Sequence, residues 1–97
     1  MPKGYWITFY REISDPDKLA AYAKLAPAAT APFGARYLAR GNPQAMYEAG
    51  QKDRVVVAEF PSLQKAIEAH DCPAYQDAVR VLGDGAVRDV RIIEGLE

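Results

Sequence analysis

From Gly4 to Arg11 the chain reads GYWITFYR, and nearly every position is apolar or aromatic. Aromatic and β-branched residues suit a pleated surface, so this segment is the first expected strand. Alternation puts Tyr5, Ile7 and Phe9 on one face and Trp6, Thr8 and Tyr10 on the other. Both rows want cover, which places the strand centrally in a sheet buried on two sides. One register brings Trp6 and Tyr10 to a cavity, and the other brings Phe9 there.

The period then changes. Asp15 and Pro16 form a helix start, with the Asp side chain free to cap and Pro suited to the first turn. Leu19, Tyr22, Ala23 and Ala26 follow as one apolar stripe. Pro27 is expected to kink or loosen this helix, which ends near Ala31. Ala35 to Arg40 read as a second strand, and Gly41-Asn42-Pro43 break it. Gln44 to Ala49 are expected to form a short extension or a hairpin partner. Arg54 to Phe60, RVVVAEF, is the strongest strand signal in the chain, with Glu59 set into it. Ser62 caps a second helix carrying Leu63, Ala66 and Ile67. That helix is expected to pause at Asp71-Cys72-Pro73 and resume with Tyr75, Ala78, Val79 and Leu82. Gly83-Asp84-Gly85 end it, and Val87 to Glu94 form the last strand.

The order is βαββαβ, the split arrangement of ferredoxin-like domains. The expected class is α+β: a four-stranded antiparallel sheet with its helices on one face. The other face would be a bare apolar surface, and a second copy of the chain is its simplest cover. Two facing sheets make a dimeric α/β barrel, with the space between them as a natural pocket.

Composition sharpens this. With 97 residues, 49% of them hydrophobic, the chain is one domain spanning 1–97. It carries 12 basic and 13 acidic residues, and the arginines are dispersed, so no phosphate-neutralising footprint exists and nucleic acid is excluded as a partner. No stretch is long and apolar enough to span or enter a membrane, and none resembles a secretory leader. The single cysteine, Cys72, has no internal disulfide partner. A cytoplasmic protein is expected.

Chemistry is sparsely signalled. His70, the one histidine, is the first suspect as a neutral-pH acid or base, with Glu59 as the second. Against His70, a residue at a helix end is commonly just exposed, and the adjacent Asp71 could orient it only if the chain bends there. Cys72 fits a helix cap better than a nucleophile. Arg40, Arg54 and Arg91, with Glu48 and Glu59, are the polar residues expected at the cavity. An arginine there would fork onto a carboxylate ligand or, equally, pair with Glu59, since a lone charge in an apolar strand is costly. Trp6, Tyr10, Tyr22, Tyr37, Tyr47 and Tyr75 are the candidate aromatic lining for a flat ligand, with Trp6, Tyr10 and Tyr75 as the expected binding residues, although most such rings serve as core. No metal-ligand spacing, phosphate loop or dinucleotide fingerprint occurs, so neither a metal nor a cofactor is expected.

Five strings together resemble one family. They are KGYWI at the start, GARYLARG at Gly34 to Gly41, RVVVAEFPS at Arg54 to Ser62, CPAYQDA at Cys72 to Ala78, and IIEG at Ile92 to Gly95. The chain is similar in these to the bacterial domain of unknown function 1330 family, within the dimeric α/β-barrel superfamily. Two positions depart from the family pattern, Cys72 where a serine is usual and Asn42 where a second glycine often follows Arg40-Gly41. The resemblance implies a ferredoxin-like homodimer with one cavity per subunit. It implies no particular activity, because superfamily relatives range from cofactor-independent monooxygenases to lactone isomerases and haem-handling proteins. A small acidic or aromatic ligand, with cofactor-independent proton-transfer or oxygenase-type chemistry, is the expectation. A non-catalytic dimerisation module is the alternative.

Overall fold

A computed structural model describes residues 2–97. The chain forms β1 (Gly4–Ile13), α1 (Pro16–Thr30), a 3-10 turn at Ala31–Phe33, β2 (Arg36–Gly41), β3 (Val55–Phe60), α2 (Leu63–Asp71), α3 (Pro73–Leu82) and β4 (Ala86–Glu94). The sheet order is β2-β3-β1-β4. Every neighbouring pair is antiparallel. This is the expected α+β ferredoxin-like arrangement, with the second helix divided in two.

Local chemistry accounts for the element ends. Asp15 Oδ1 accepts from the backbone N–H groups of Asp17 and Lys18, at 3.1 and 3.2 Å, and so opens α1. Pro27 does not end that helix, which runs on to Thr30. Ser62 Oγ accepts from Lys65 N at 3.1 Å and opens α2. Cys72 is extended, with φ −67° and ψ 150°, and breaks the helical run between Asp71 and Pro73. Its Sγ then accepts from Tyr75 N at 3.4 Å, which makes it the cap of α3.

The helices cover the face of β1 that carries Trp6, Thr8 and Tyr10, all buried. Phe60, Tyr75, Ala66, Ala69, Ala78 and Leu82 complete this core. Tyr5, Ile7 and Phe9 point to the other side, where Phe9 is 41% exposed. The sheet thus has one covered face and one open face. Within the described residues, no helix is long and apolar enough to cross a membrane.

One expected element is absent. Gln44 to Ala49 form neither an extension nor a hairpin partner, but an irregular exposed loop with a tight turn closed by Gly50 N donating to Tyr47 O at 2.8 Å. Pro43 at its entry lacks a donor, and Glu48 takes a positive φ of 54°, which breaks the extended backbone that a strand needs.

Candidate functional site

The site lies between the sheet and α1, at the end of the sheet where the β2–β3 loop leaves it. β1 contributes Trp6, Thr8 and Tyr10, and β3 contributes Val56 and Ala58. Helix α1 supplies Tyr22, Ala23, Ala26 and Pro27, and α3 supplies Tyr75. Tyr37 stands in the row of Ala58 and Trp6, and Arg40 and Arg54 close the outer end. The cavity is small, about 40 Å³, and opens to solvent at its mouth. It is therefore a narrow slot. It lies within one chain, on the helical side of the sheet. The sequence had pointed to the space between two facing sheets.

Strand geometry explains the lining. Arg54 precedes β3 in phase with Val56 and Ala58, so all three look toward the helices. Arg40 arrives by a different route. In β2 the register shifts between Tyr37 and Ala39, so that Tyr37 stands opposite Ala58 and Arg40 opposite Val56. Without that bulge, residues three apart would point to opposite faces. With it, both enter the pocket, and the Arg40 guanidinium lies 5.6 Å from the centre of the Tyr37 ring.

The electrostatics are one-sided. No carboxylate lines the pocket. Arg40 and Arg54 have no ion-pair partner among the described residues. The Arg54 Nε and the Trp6 Nε1 are buried and hydrogen-bond to nothing. Natural structures rarely leave buried donors unsatisfied, because each costs about 1–3 kcal/mol. At the inner wall the Tyr22 and Tyr75 hydroxyls share a hydrogen bond of 2.6 Å, and Arg88 Nη1 donates to Tyr22 at 2.9 Å. Burial, with the neighbouring Tyr75 second, pushes the Tyr22 hydroxyl well above the usual tyrosine range, so it stays protonated at neutral pH. Burial also raises Tyr37.

Trp6, Tyr10, Tyr75, Arg40 and Arg54, the expected ligand-binding residues, all line this one pocket. The two expected catalytic candidates do not. Glu59 sits on the open face, where it accepts a hydrogen bond from the Tyr5 hydroxyl at 3.0 Å. It is out of phase with Arg54 along the same strand, so neither Arg54 nor Arg40 is its partner. His70 lies in the last turn of α2 and packs its ring behind the pocket wall, with centroids 5.5 Å from both Trp6 and Tyr75. The chain does turn there, and Asp71 Oδ1 lies 3.0 Å from His70 Nδ1. Arg91 also belongs to the open face, paired with Asp89 at 2.9 Å, and Glu48 stands in the exposed loop. Tyr22 and Tyr37, both among the candidate rings of the sequence, line the pocket too, Tyr47 is exposed in the β2–β3 loop, and Arg88 was not singled out from sequence. The alternation of β4 puts Arg88 with Val90 and Ile92, and that apolar company was the available signal. Among the described residues no three His, Cys, Asp or Glu side chains gather as a metal site would require.

Comparisons place this geometry among known folds. Residues 3–96 match the sequence model of a family described as a domain of unknown function, DUF1330. The RPA0582 protein of unknown function from Rhodopseudomonas palustris superposes with a TM-score of 0.71 at 20% identity, over 99% of this chain and 84% of that one. A dimeric ferredoxin-like protein of unknown function from Thermobifida fusca does so at 0.65 and 19%, over 96% and 91%. SnoaB, a cofactor-independent oxygenase from Streptomyces nogalater, superposes at 0.70 with 8% identity, over 100% and 96%. At these identities the likeness is one of fold. No curated protein matches the chain.

Proposed function

The chain belongs to the DUF1330 family, and from that premise we propose that it is a binding protein for small anionic aromatic molecules, working in the bacterial cytoplasm as a homodimer with one pocket per subunit. The observation that carries this is the pair of arginines, Arg40 and Arg54, in an aromatic pocket that offers them no acid. A carboxylate at the mouth would take up the orphaned Arg54 N–H in a charge-assisted bond. The rings of Tyr10, Tyr22 and Tyr37 would flank the flat body of the ligand.

The dimer is supported by the open sheet face and by fold neighbours described as dimeric. Its apolar centre consists of Ile7, Phe9, Val55 and Val57, which are opposite one another in the register. The catalytic form of the proposal is cofactor-independent proton-transfer or oxygenase-type chemistry on the bound molecule. Unsatisfied donors in a buried slot support it, because they stabilise negative charge on an oxygen, as does the oxygenase among the fold neighbours. Neither Glu59 nor His70 would be its base.

Calorimetric titration with benzoate and with neutral benzamide tests the binding. Benzoate should bind the native protein, and Arg54→Gln should weaken it about tenfold or more, the loss expected for one charged hydrogen bond. Benzamide binding as tightly as benzoate would show that the arginines do not select an anion. If no aromatic acid bound, the alternative of a non-catalytic dimerisation module would be favoured.

A further inference from the structure

The inner end of the slot has chemistry of its own. The Trp6 side chain is 95% buried, being 5% exposed, and its indole N–H has no partner. Its ring meets that of Tyr75 edge-on at 4.8 Å. Counting protons on the adjacent tyrosine pair shows a second surplus. Tyr22 and Tyr75 own two hydroxyl protons, and their mutual bond uses one. Arg88 contributes its own proton to the Tyr22 oxygen, and neither hydroxyl makes a further hydrogen bond among the described residues. Whichever tyrosine donates to the other, one O–H remains free. Trp6, Tyr22 and Tyr75 all line the pocket.

Trp6 and the tyrosine pair thus leave one N–H and one O–H without acceptors, no carboxylate lines the pocket, and the Arg88 guanidinium sits against Tyr22. The outer end presents Arg40 and Arg54. The two ends lie four residues apart along β1, since Trp6 stands opposite Ala58 and Tyr10 N bonds Arg54 O. That spacing is roughly 13 Å between backbones at a strand rise of ~3.3 Å per residue. The long Arg54 side chain covers part of it, leaving about the length of one substituted ring.

Resting on the anion-binding pocket proposed above, we infer that the slot has a second subsite: Trp6 Nε1–H and the Tyr22–Tyr75 hydroxyl pair hold an oxygen at the far end of the ligand. The ligand class is then narrower than an aromatic acid. It is an aromatic carboxylate with a carbonyl, hydroxyl or phenolate oxygen across the ring from the carboxylate. Neutral donors suit such an oxygen whether it is uncharged or carries partial negative charge, while the arginines hold the full charge.

Trp6 is the sole tryptophan, so a nitrogen–proton correlation spectrum contains a single indole signal that reports this subsite directly. The native, nitrogen-15-labelled protein should be titrated with benzoate, 4-hydroxybenzoate and 4-acetylbenzoate. The two oxygen-bearing ligands are expected to bind about tenfold more tightly than benzoate and to move the indole N–H signal downfield. Benzoate should move it little. Trp6→Phe and, separately, Tyr75→Phe should each bring the ratio of 4-hydroxybenzoate to benzoate affinity down toward one. Benzoate binding with no gain from the second oxygen and a stationary indole signal would overturn the second subsite and leave the anion pocket standing. Failure of all three acids to bind would overturn both.

Discussion

Trp6 has two roles. Its ring stacks on Phe60 at 5.9 Å and meets Tyr75 edge-on, so it belongs to the core. It also lines the pocket, and its N–H has no protein partner. Gly4, two residues earlier on the same face, shows how closely α2 approaches the sheet. A Cβ there would meet the Ser62 carbonyl oxygen at 2.5 Å and Leu63 Cα at 2.8 Å. Both are backbone atoms at the cap of α2 and have little freedom to move. Gly4→Ala should therefore destabilise the fold by about 1–3 kcal/mol, as overpacking does. Chemical denaturation would measure it, and an unchanged midpoint would mean that α2 shifts freely on the sheet. Cys72 illustrates a milder case, in which a thiol accepts the capping bond where the family usually has serine.

At the level of elements, α1 carries a built-in irregularity. Pro27 cannot donate to the Ala23 carbonyl one turn earlier, and both residues face the pocket. Thr30 adds local support, its hydroxyl donating to the Ala26 carbonyl at 3.0 Å. Pro27→Ala should restore the missing bond and raise stability by about 1–3 kcal/mol, seen as a higher thermal midpoint. A lower midpoint would show that the pyrrolidine ring is needed as packing. The helices and strands themselves were legible in the residues, since caps, prolines and two distinct periodicities marked each of them, and the one expectation in excess was Gln44 to Ala49. The faces were harder to read. β1 is apolar on both sides, so alternation alone could not orient it. A clue stood in β3, where Val55, Val57 and Glu59 form one row and Val56, Ala58 and Phe60 the other, and the acid marks the outer row. The same count separates Arg54 from Glu59, which the sequence reading had grouped at one cavity. The entry of Arg40 was not legible. It depends on a bulge in β2, and no residue in RYLARG announces one.

The whole molecule measures 37 × 33 × 15 Å, the profile of two layers with a sheet left bare on one side. Phe9, Val87 and Ile93 are among its exposed large apolar side chains, and all three belong to the open face. Polar groups border them, including the Arg11–Asp89–Arg91 cluster, where Arg91 first and Arg11 second hold the Asp89 carboxyl below its usual range. An apolar centre with a charged rim suits a two-fold partner. Native mass spectrometry at micromolar concentration should show a dimer, and Phe9→Lys should shift it to monomer while the pocket still binds benzoate. A native monomer mass would leave the open face without the partner proposed for it.

β1 separates these two surfaces, and its side chains serve them by turns: Tyr5, Ile7 and Phe9 the one, Trp6, Thr8 and Tyr10 the other. Substitutions in this strand act on one surface at a time. A change of length would not. Inserting or deleting a single codon between Trp6 and Tyr10 would exchange the two rows over the remainder of the strand, sending pocket donors to the open side and bare hydrocarbon into the slot. The strand can diverge in composition yet is held to a constant length. Drift in length has an outlet only where the ladders already slip by one residue, between Tyr10 and Glu12 and between Tyr37 and Ala39.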